Sequence, residues 1–510
     1  MKHLSGLDAS FLHLETLKMP MHVGGLHLLE LPAGFGGDFI DAVKRHIADR
    51  MHLAGVFTKK LALMPFDIAN PVWVDDDDLD LDYHVRQVTL PKPGTQAQLE
   101  ATVGRLHSSL LDRSRPLWEF YVFDGLASGQ VAFYAKIHHA ALDGQGAIVL
   151  AQALLDVTPA PREVDPPPER DKAPYQPAVS AMLSAALRET VSQCVKLVKG
   201  APAGLRAAAG LLVPERDEDG KRHIGWPRSW SMAPRTPLNV GITNQRVFAT
   251  VSIPQKEASG IAKAFHGTLN DAALCVVSGA LRRYLAGHDA LPGKPLVAAL
   301  PISLRAEGNM DLNNQVSMML MKLASDEDDV GVRMRSIVKA SAKMKKTLSN
   351  VKSVMPTDFP SLGLPWLMSA LVSLYGRSRL ADTLPPIANV VVSNVPGPRV
   401  PLYLAGARVV ANYPVSIITH GLALNVTLQS YNGSLDFGLI ACRRAMPDVR
   451  MFAACMTAAH EELLAVARAL AAPAPAIRPA HKRTAKQASD AINPTPAPVK
   501  RRPRAAASAA

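Results

Sequence analysis

The chain has 510 residues, 48% of them hydrophobic and 20% charged, which is the composition of a globular protein long enough for two domains and excludes a disordered or fibrous chain. Its net charge is +12, but the last forty residues hold eight Lys or Arg against one acid, Asp490, and so carry +7 of it; the basic character belongs mostly to that tail. The four cysteines, Cys194, Cys275, Cys442 and Cys455, lie far apart without metal-ligand spacing, which excludes a disulfide scaffold and fits a reducing cytoplasm. Residues 1–10 lack the layout of a signal peptide, and no run of eighteen apolar residues argues for a transmembrane helix.

Residues 1–160 read as one α/β unit. Residues 39–51 and, more clearly, 97–111 have helical spacing. Residues 73–86 carry Asp75, Asp76, Asp77, Asp78, Asp80 and Asp82; consecutive aspartates cannot all converge on one ion, so this run reads as a solvated loop and no metal site is expected. Residues 131–137 form a short run of β-branched and aromatic residues, a buried strand. Directly after it come His138 and His139, then Asp143 and Gly144, then the helix-compatible residues 146–157, which Asp143 is placed to cap.

From 158 to 178 the chain turns proline-rich and charged, a solvent-exposed connection. Residues 182–213 are an alanine- and leucine-rich helical stretch with Arg188, Lys196, Lys199 and Arg206; this is either a linker helix packed on both domains or a basic amphipathic helix lying on lipid headgroups. The range 161–235 is therefore the connection, and 236–470 the second unit. Within it 239–254, 296–300 and 387–393 read as strands, and 271–286 as a helix whose start is marked by Asn270 and Asp271. Two alternating segments in 415–442 are joined by Tyr431-Asn432-Gly433-Ser434, a hairpin signal. Residues 471–510 are Ala, Pro and Lys/Arg without an aromatic and should be disordered, serving either as a solubilising tail or for attachment to anionic lipid or nucleic acid.

The chemical signal is His-His-x-x-x-Asp-Gly at 138–144. A lone histidine at a strand end is usually structural, yet a neutral imidazole there can take a proton from an alcohol near pH 7. Rival chemistries lack their residues: there is no Gly-x-Ser-x-Gly elbow, no His-Glu-x-x-His helix, and no third small residue after Gly144-x-Gly146 for a dinucleotide loop.

This pattern resembles the active-site motif of the coenzyme A-dependent acyltransferase superfamily, and its surroundings are similar to the bacterial wax ester synthase/diacylglycerol acyltransferase family. The opening at 4–25, the Asp112-Arg113-Ser114-Arg115-Pro116-Leu117-Trp118 block, Thr268-Leu269-Asn270-Asp271-Ala272, Val392-Ser393-Asn394-Val395-Pro396-Gly397-Pro398 and 430–439 all look like that family's blocks, in its order. The resemblance covers about 4–470 and implies an α/β fold of two chloramphenicol acetyltransferase-like lobes, with the active site in a tunnel between them.

It implies further that the chain moves a long-chain acyl group from acyl-CoA, a co-substrate rather than a cofactor, to a fatty alcohol or diacylglycerol. His139 would be the general base and His138 supportive, since adjacent strand residues point to opposite sides. Asp143 would be structural, pairing with an arginine, and Gly144 would allow the tight backbone. Asn270 would be either an N-cap or an oxyanion donor, and Asp271 would hold the second lobe's architecture. Pro116, Leu117 and Trp118 would shape a substrate channel, while 393–398 would approach the coenzyme or form a turn. No cofactor and no metal are implied. A cytoplasmic protein peripheral to a membrane or lipid inclusions is expected, with nucleic acid reached only through the tail. Two alternatives remain: a non-catalytic lipid- or nucleic-acid-associated protein on this scaffold, and a condensation-type acyltransferase with another acceptor.

Overall fold

Capping chemistry sets where two of the longer helices begin. Thr95 Oγ1 accepts from the Gln98 N–H at 3.3 Å while the Thr95 N–H donates to Gln98 Oε1 at 2.7 Å, so a helix starts at Gln96. Thr268 and Asp271 form the same reciprocal box, with Asp271 Oδ2 accepting from the Thr268 N–H at 2.8 Å. Asn270 is therefore the second residue of its helix and not its cap, because the hydroxyl two residues earlier has taken that position.

The computed structural model describes residues 2–4, 6–62, 70–142, 146–166, 215–216, 222–223, 233–303, 316–351 and 380–471. Asp143, Gly144, the 182–213 stretch and the tail beyond Ala471 lie outside them. The first part of the chain supplies α1 (Gly6–Leu14), β1 (His22–Glu30), α2 (Phe39–Ala48), β2 (Val85–Thr89), α3 (Gln96–Ser108), β3 (Trp118–Asp124), β4 (Val131–His138) and α4 (Gly146–Leu154). The later part supplies β5 (Arg246–Pro254), α5 (Gln255–Ala264), α6 (Leu269–Ala286), β6 (Val297–Ser303), β7 (Val316–Lys322), α7 (Val330–Val351), β8 (Val390–Val395), β9 (Tyr403–Leu404), β10 (Ala407–Val415), β11 (Leu424–Tyr431), β12 (Ser434–Cys442) and α8 (Val449–Ala471).

These strands make two six-stranded mixed sheets, ordered β9-β10-β1-β4-β3-β2 and β5-β12-β11-β8-β6-β7. The expected hairpin joins β11 to β12 with Tyr431 opposite Ser434, and Asn432 and Gly433 both adopt positive φ, as a two-residue turn of this kind requires. β9 and β10, inside the 236–470 range, hydrogen-bond into the first sheet, where Asn412 pairs with His27 and Val415 with Gly24. Alternation marks 407–415 as a strand but carries no record of which free sheet edge it joins.

Each sheet has its own core, and a third cluster joins them: Leu26, Tyr121, Phe123 and Tyr134 of the first sheet pack with Phe248, Ile440 and Cys442 of the second. Two close approaches fix this seam. Asp436, fully buried on β12, accepts the Asn412 N–H of β10 at 2.9 Å and the hydroxyls of Ser252 and Ser434 at 2.7 Å each. Two residues on, a Cβ added to Gly438 would stand 1.7 Å from Pro414 O, so only glycine lets the strands pass this closely. Gly438→Ala should cost about 3 kcal/mol, read as a lowered urea midpoint; an unchanged midpoint would mean that the strands part freely there.

Candidate active site

β4 is flanked antiparallel by β1 and β3, with His22 opposite His138 and Trp118 opposite Ile137. The strand is buried along its whole length, which is why 131–137 is nearly continuous in apolar residues. At its end the His138 N–H donates to Leu117 O at 2.9 Å and the His139 N–H to Met21 O at 2.8 Å. The chain then turns through a single 3-10 turn, His139–Ala141. Both histidines are thus pinned by backbone from the two neighbouring segments, and their side chains diverge.

The His138 side chain has no exposed surface. Its Nδ1 accepts the Ala140 N–H at 3.1 Å, so the proton of a neutral ring sits on Nε2, which lies 3.3 Å from Glu15 Oε1. That contact is electrostatic rather than a well-aligned hydrogen bond. Glu15 Oε1 also accepts the Met21 N–H at 3.2 Å, while Oε2 accepts from Arg113 Nε at 3.1 Å and Nη2 at 2.8 Å. Burial pushes the Glu15 carboxyl up, but His138 and Arg113 outweigh it and hold it down at about 2. Glu15 is thus the buried carboxylate of this site, and the opening block contained it without any reading of its role. The available signal was its i,i+4 spacing from Phe11, which puts both on one helical face.

His139 remains partly exposed. Burial pushes its imidazole down to about 4, its own carbonyl opposing slightly and His138 adding to the fall, so the ring is neutral at pH 7. Its Nδ1 is buried, with no partner in hydrogen-bond geometry among the described residues. One face of the ring is covered by Phe11 of α1, with centroids 3.9 Å apart and planes 14° apart.

Beneath the motif the same face of β4 carries further buried polar groups that periodicity did not reveal. His22 Nε2 contacts His107 O at 2.6 Å, and His107 Nδ1 contacts the Tyr134 hydroxyl at 2.7 Å. Burial pushes His22 well below the ordinary histidine range and His107 down to about 3. Lys136, fully buried, donates to Glu119 Oε2 at 3.2 Å, and the Tyr121 hydroxyl donates to the same oxygen at 2.6 Å. Tyr134, Lys136 and His138 alternate with Phe133, Ala135 and Ile137, so the apolar residues fill the opposite face.

Pro116, Leu117 and Trp118 are all buried. Leu117 packs with Leu12 and Ala140 under the histidine turn, and Trp118 donates its indole N–H to Phe57 O at 3.1 Å while stacking on His84 at 4.3 Å. They support the turn from inside.

In the second sheet, Asn394 Nδ2 donates to Asn270 Oδ1 at 3.2 Å. Asp271 Oδ1 is buried without a partner among the described residues. The two late blocks also meet: the Gly397 N–H donates to Ser430 Oγ at 3.1 Å and the Asn432 N–H to Pro398 O at 3.0 Å. The acidic run is dispersed, with Asp76 bonded to Lys60, Asp82 to Lys44, and Asp80 capping the short helix Leu81–His84. Among the described residues no three metal-ligating side chains gather.

The paired histidines stand at the end of a central strand of the first sheet. The first condensation domain of the CDA synthetase shares the fold, with a TM-score of 0.52 at 14% identity over 92% of this chain and 97% of that one. Residues 4–273 match the wax ester synthase/diacylglycerol acyltransferase catalytic domain and 312–464 the C-terminal domain of the same family; the chain belongs to this family. A protein of Mycobacterium tuberculosis named a probable diacylglycerol O-acyltransferase is 37% identical over 89% of this chain and 97% of its own. The O-acyltransferase WSD of Acinetobacter baylyi is 33% identical over 88% and 93%. The wax ester synthase/diacylglycerol acyltransferase of Marinobacter aquaeolei superposes with a TM-score of 0.65 at 31% identity, covering 92% of this chain and all of that one.

Proposed function

We propose that this protein transfers a long-chain acyl group from acyl-CoA to the hydroxyl of a fatty alcohol or diacylglycerol, with His139 as general base. Family membership carries the reaction class. The observation that supports the base is the partly exposed imidazole of His139, kept neutral by burial and held at the strand end by Met21 O. Neutral His139 takes the alcohol proton as the oxygen attacks the thioester carbonyl; the tetrahedral oxyanion collapses, the C–S bond breaks, and the thiolate takes the proton back from the imidazolium. Alcohol and thioester become ester and free thiol, so neither metal nor redox cofactor enters the balance.

The other roles follow from position. His138 and Glu15 hold the turn, Pro116, Leu117 and Trp118 support it, and Asp271 caps its helix with Thr268. Asn270, with its oxygen occupied by Asn394, supplies an N–H donor for the oxyanion. Asp143 and Gly144 are assigned to bracing the loop, and a tunnel between the lobes to bringing the substrates together. Acceptors of this kind lie in lipid, so the protein would work at a lipid surface in the cytoplasm; among the described residues no helix is long and apolar enough to cross a membrane. The tail's eight Lys or Arg would add electrostatic attraction to anionic headgroups.

The test is release of coenzyme A thiol from palmitoyl-CoA, with hexadecanol and a diacylglycerol in parallel reactions. Acceptor-dependent release supports the reading and the ratio identifies the preferred lipid; no release with either acceptor from folded protein overturns it. The pH profile adds a second check. A folded-state value near 4, below the ordinary 6.5, leaves the base neutral over that interval, so kcat/KM should hold level from pH 7 to about 5 and fall with a midpoint near 4. A midpoint near 6.5 would mean that burial leaves this imidazole unshifted, and the base itself is decided by His139→Ala.

A further inference from the structure

We propose that Phe11 is a positioning residue for the reaction: its ring face holds the His139 imidazole in line and stabilises the imidazolium that forms when the alcohol proton is taken. This rests on the reading of His139 as the base. The rings lie 3.9 Å apart at 14°, stacked face against face. A neutral imidazole gains from such stacking through dispersion and buried area. A cation over an aromatic face gains electrostatic attraction to the ring's quadrupole as well. The arrangement therefore suits the charged form of His139 better than the neutral form, which is the property of a group that binds the transition state more tightly than the ground state.

The platform is fixed from both sides. The Glu15 N–H donates to Phe11 O at 3.1 Å, and the Glu15 carboxylate is tied to Arg113 and placed beside His138. On the other side Ala9 and Leu12 pack with Leu117 and Ala140, and Phe11 packs against that same cluster. The titratable groups on the packed elements are Asp8 and His13 on α1, Glu15 just beyond it, and His138 at the strand end. His138 acts on His139 electrostatically and opposes the positive charge. Among the described residues the Phe11 face is the group stacked on the His139 ring.

Three replacements at position 11 separate charge stabilisation from packing. Phe11→Leu should lower kcat about tenfold with KM within about twofold, because the lost interaction is made with the imidazolium. Phe11→Tyr, which keeps a π face, should recover most of the rate. Pentafluorophenylalanine at position 11 keeps the ring's shape while reversing the potential of its face, and should fall with the leucine variant. The acid limb of kcat against pH should move to lower pH in both impaired variants. Wild-type kcat in the pentafluoro variant overturns the proposal, as does an equal loss in Phe11→Leu and Phe11→Tyr, or an acid limb that moves up toward 6.5. Should Phe11→Leu fail to fold, the isosteric pair still decides. His139→Ala distinguishes the two failures: retained turnover there overturns the base itself, whereas a dead His139→Ala beside a flat Phe11 series overturns only the platform.

Discussion

Replacing His139 with alanine should lower acyl transfer by roughly 10²–10⁴-fold, the range supplied by a positioned general base, and leave the protein folded. Its structural bonds run through the backbone, from the His139 N–H to Met21 O and from the Leu142 N–H to His139 O, and both survive the truncation. What is lost in stability is the contact with Phe11, about 1 kcal/mol. Thiol release and urea unfolding, measured on one preparation, separate the two effects. Turnover within about threefold of wild type would exceed what loss of a base allows and would end the assignment. His138→Ala should behave in the opposite sense: it removes the acceptor for the Ala140 N–H and a contact of a buried carboxylate, so its first effect is on folding.

Glu15→Gln is expected to damage stability and rate together. Four donor groups, Met21 N–H, His138 Nε2 and two nitrogens of Arg113, converge on two carboxylate oxygens. An amide offers one oxygen and presents an NH2 group to the other side, so one pair of donors must be opposed whichever way it turns. The carboxyl sits at about 2 against an ordinary 4.5, so the folded state favours its ionised form by about 3 kcal/mol. For a lowered carboxyl this stability is complete above pH 4.5 and is lost as pH falls through 2. The gap between wild type and Glu15→Gln in urea unfolding should therefore be full at pH 7 and narrow below 4.5. A pH-independent gap would show that the loss is steric. Because the Glu15–His138 contact holds the turn that presents His139, kcat should also fall, by up to about 10²-fold for a displacement near 1 Å; wild-type stability and turnover together would leave Glu15 with no part in the site.

Much of this was written in local patterns. The run at 131–137 and the Tyr431–Ser434 turn depend on neighbours within a few residues, and such signals survive in the sequence because the physics behind them is local. The class of fold and reaction came from the resemblance of the ordered blocks to a known family, which the family matches bear out. Contacts that span the chain leave no such local signal: Leu117 and Trp118 pack against Ala140, Phe57 and His84.

By itself, then, the sequence determined that two α/β units carry a histidine motif at a strand end, that the family is one of acyltransferases, and that the basic charge lies in the tail. Only the tertiary structure decided that 403–415 completes the first sheet, that Glu15 and Arg113 close around His138, and that Phe11 covers His139. The reason is the same in each case. A strand edge, a buried carboxylate and a ring face are satisfied by whichever partner folding brings near, and those partners lie up to several hundred residues away: His27 meets Asn412, and Glu15 meets Arg113 and His138.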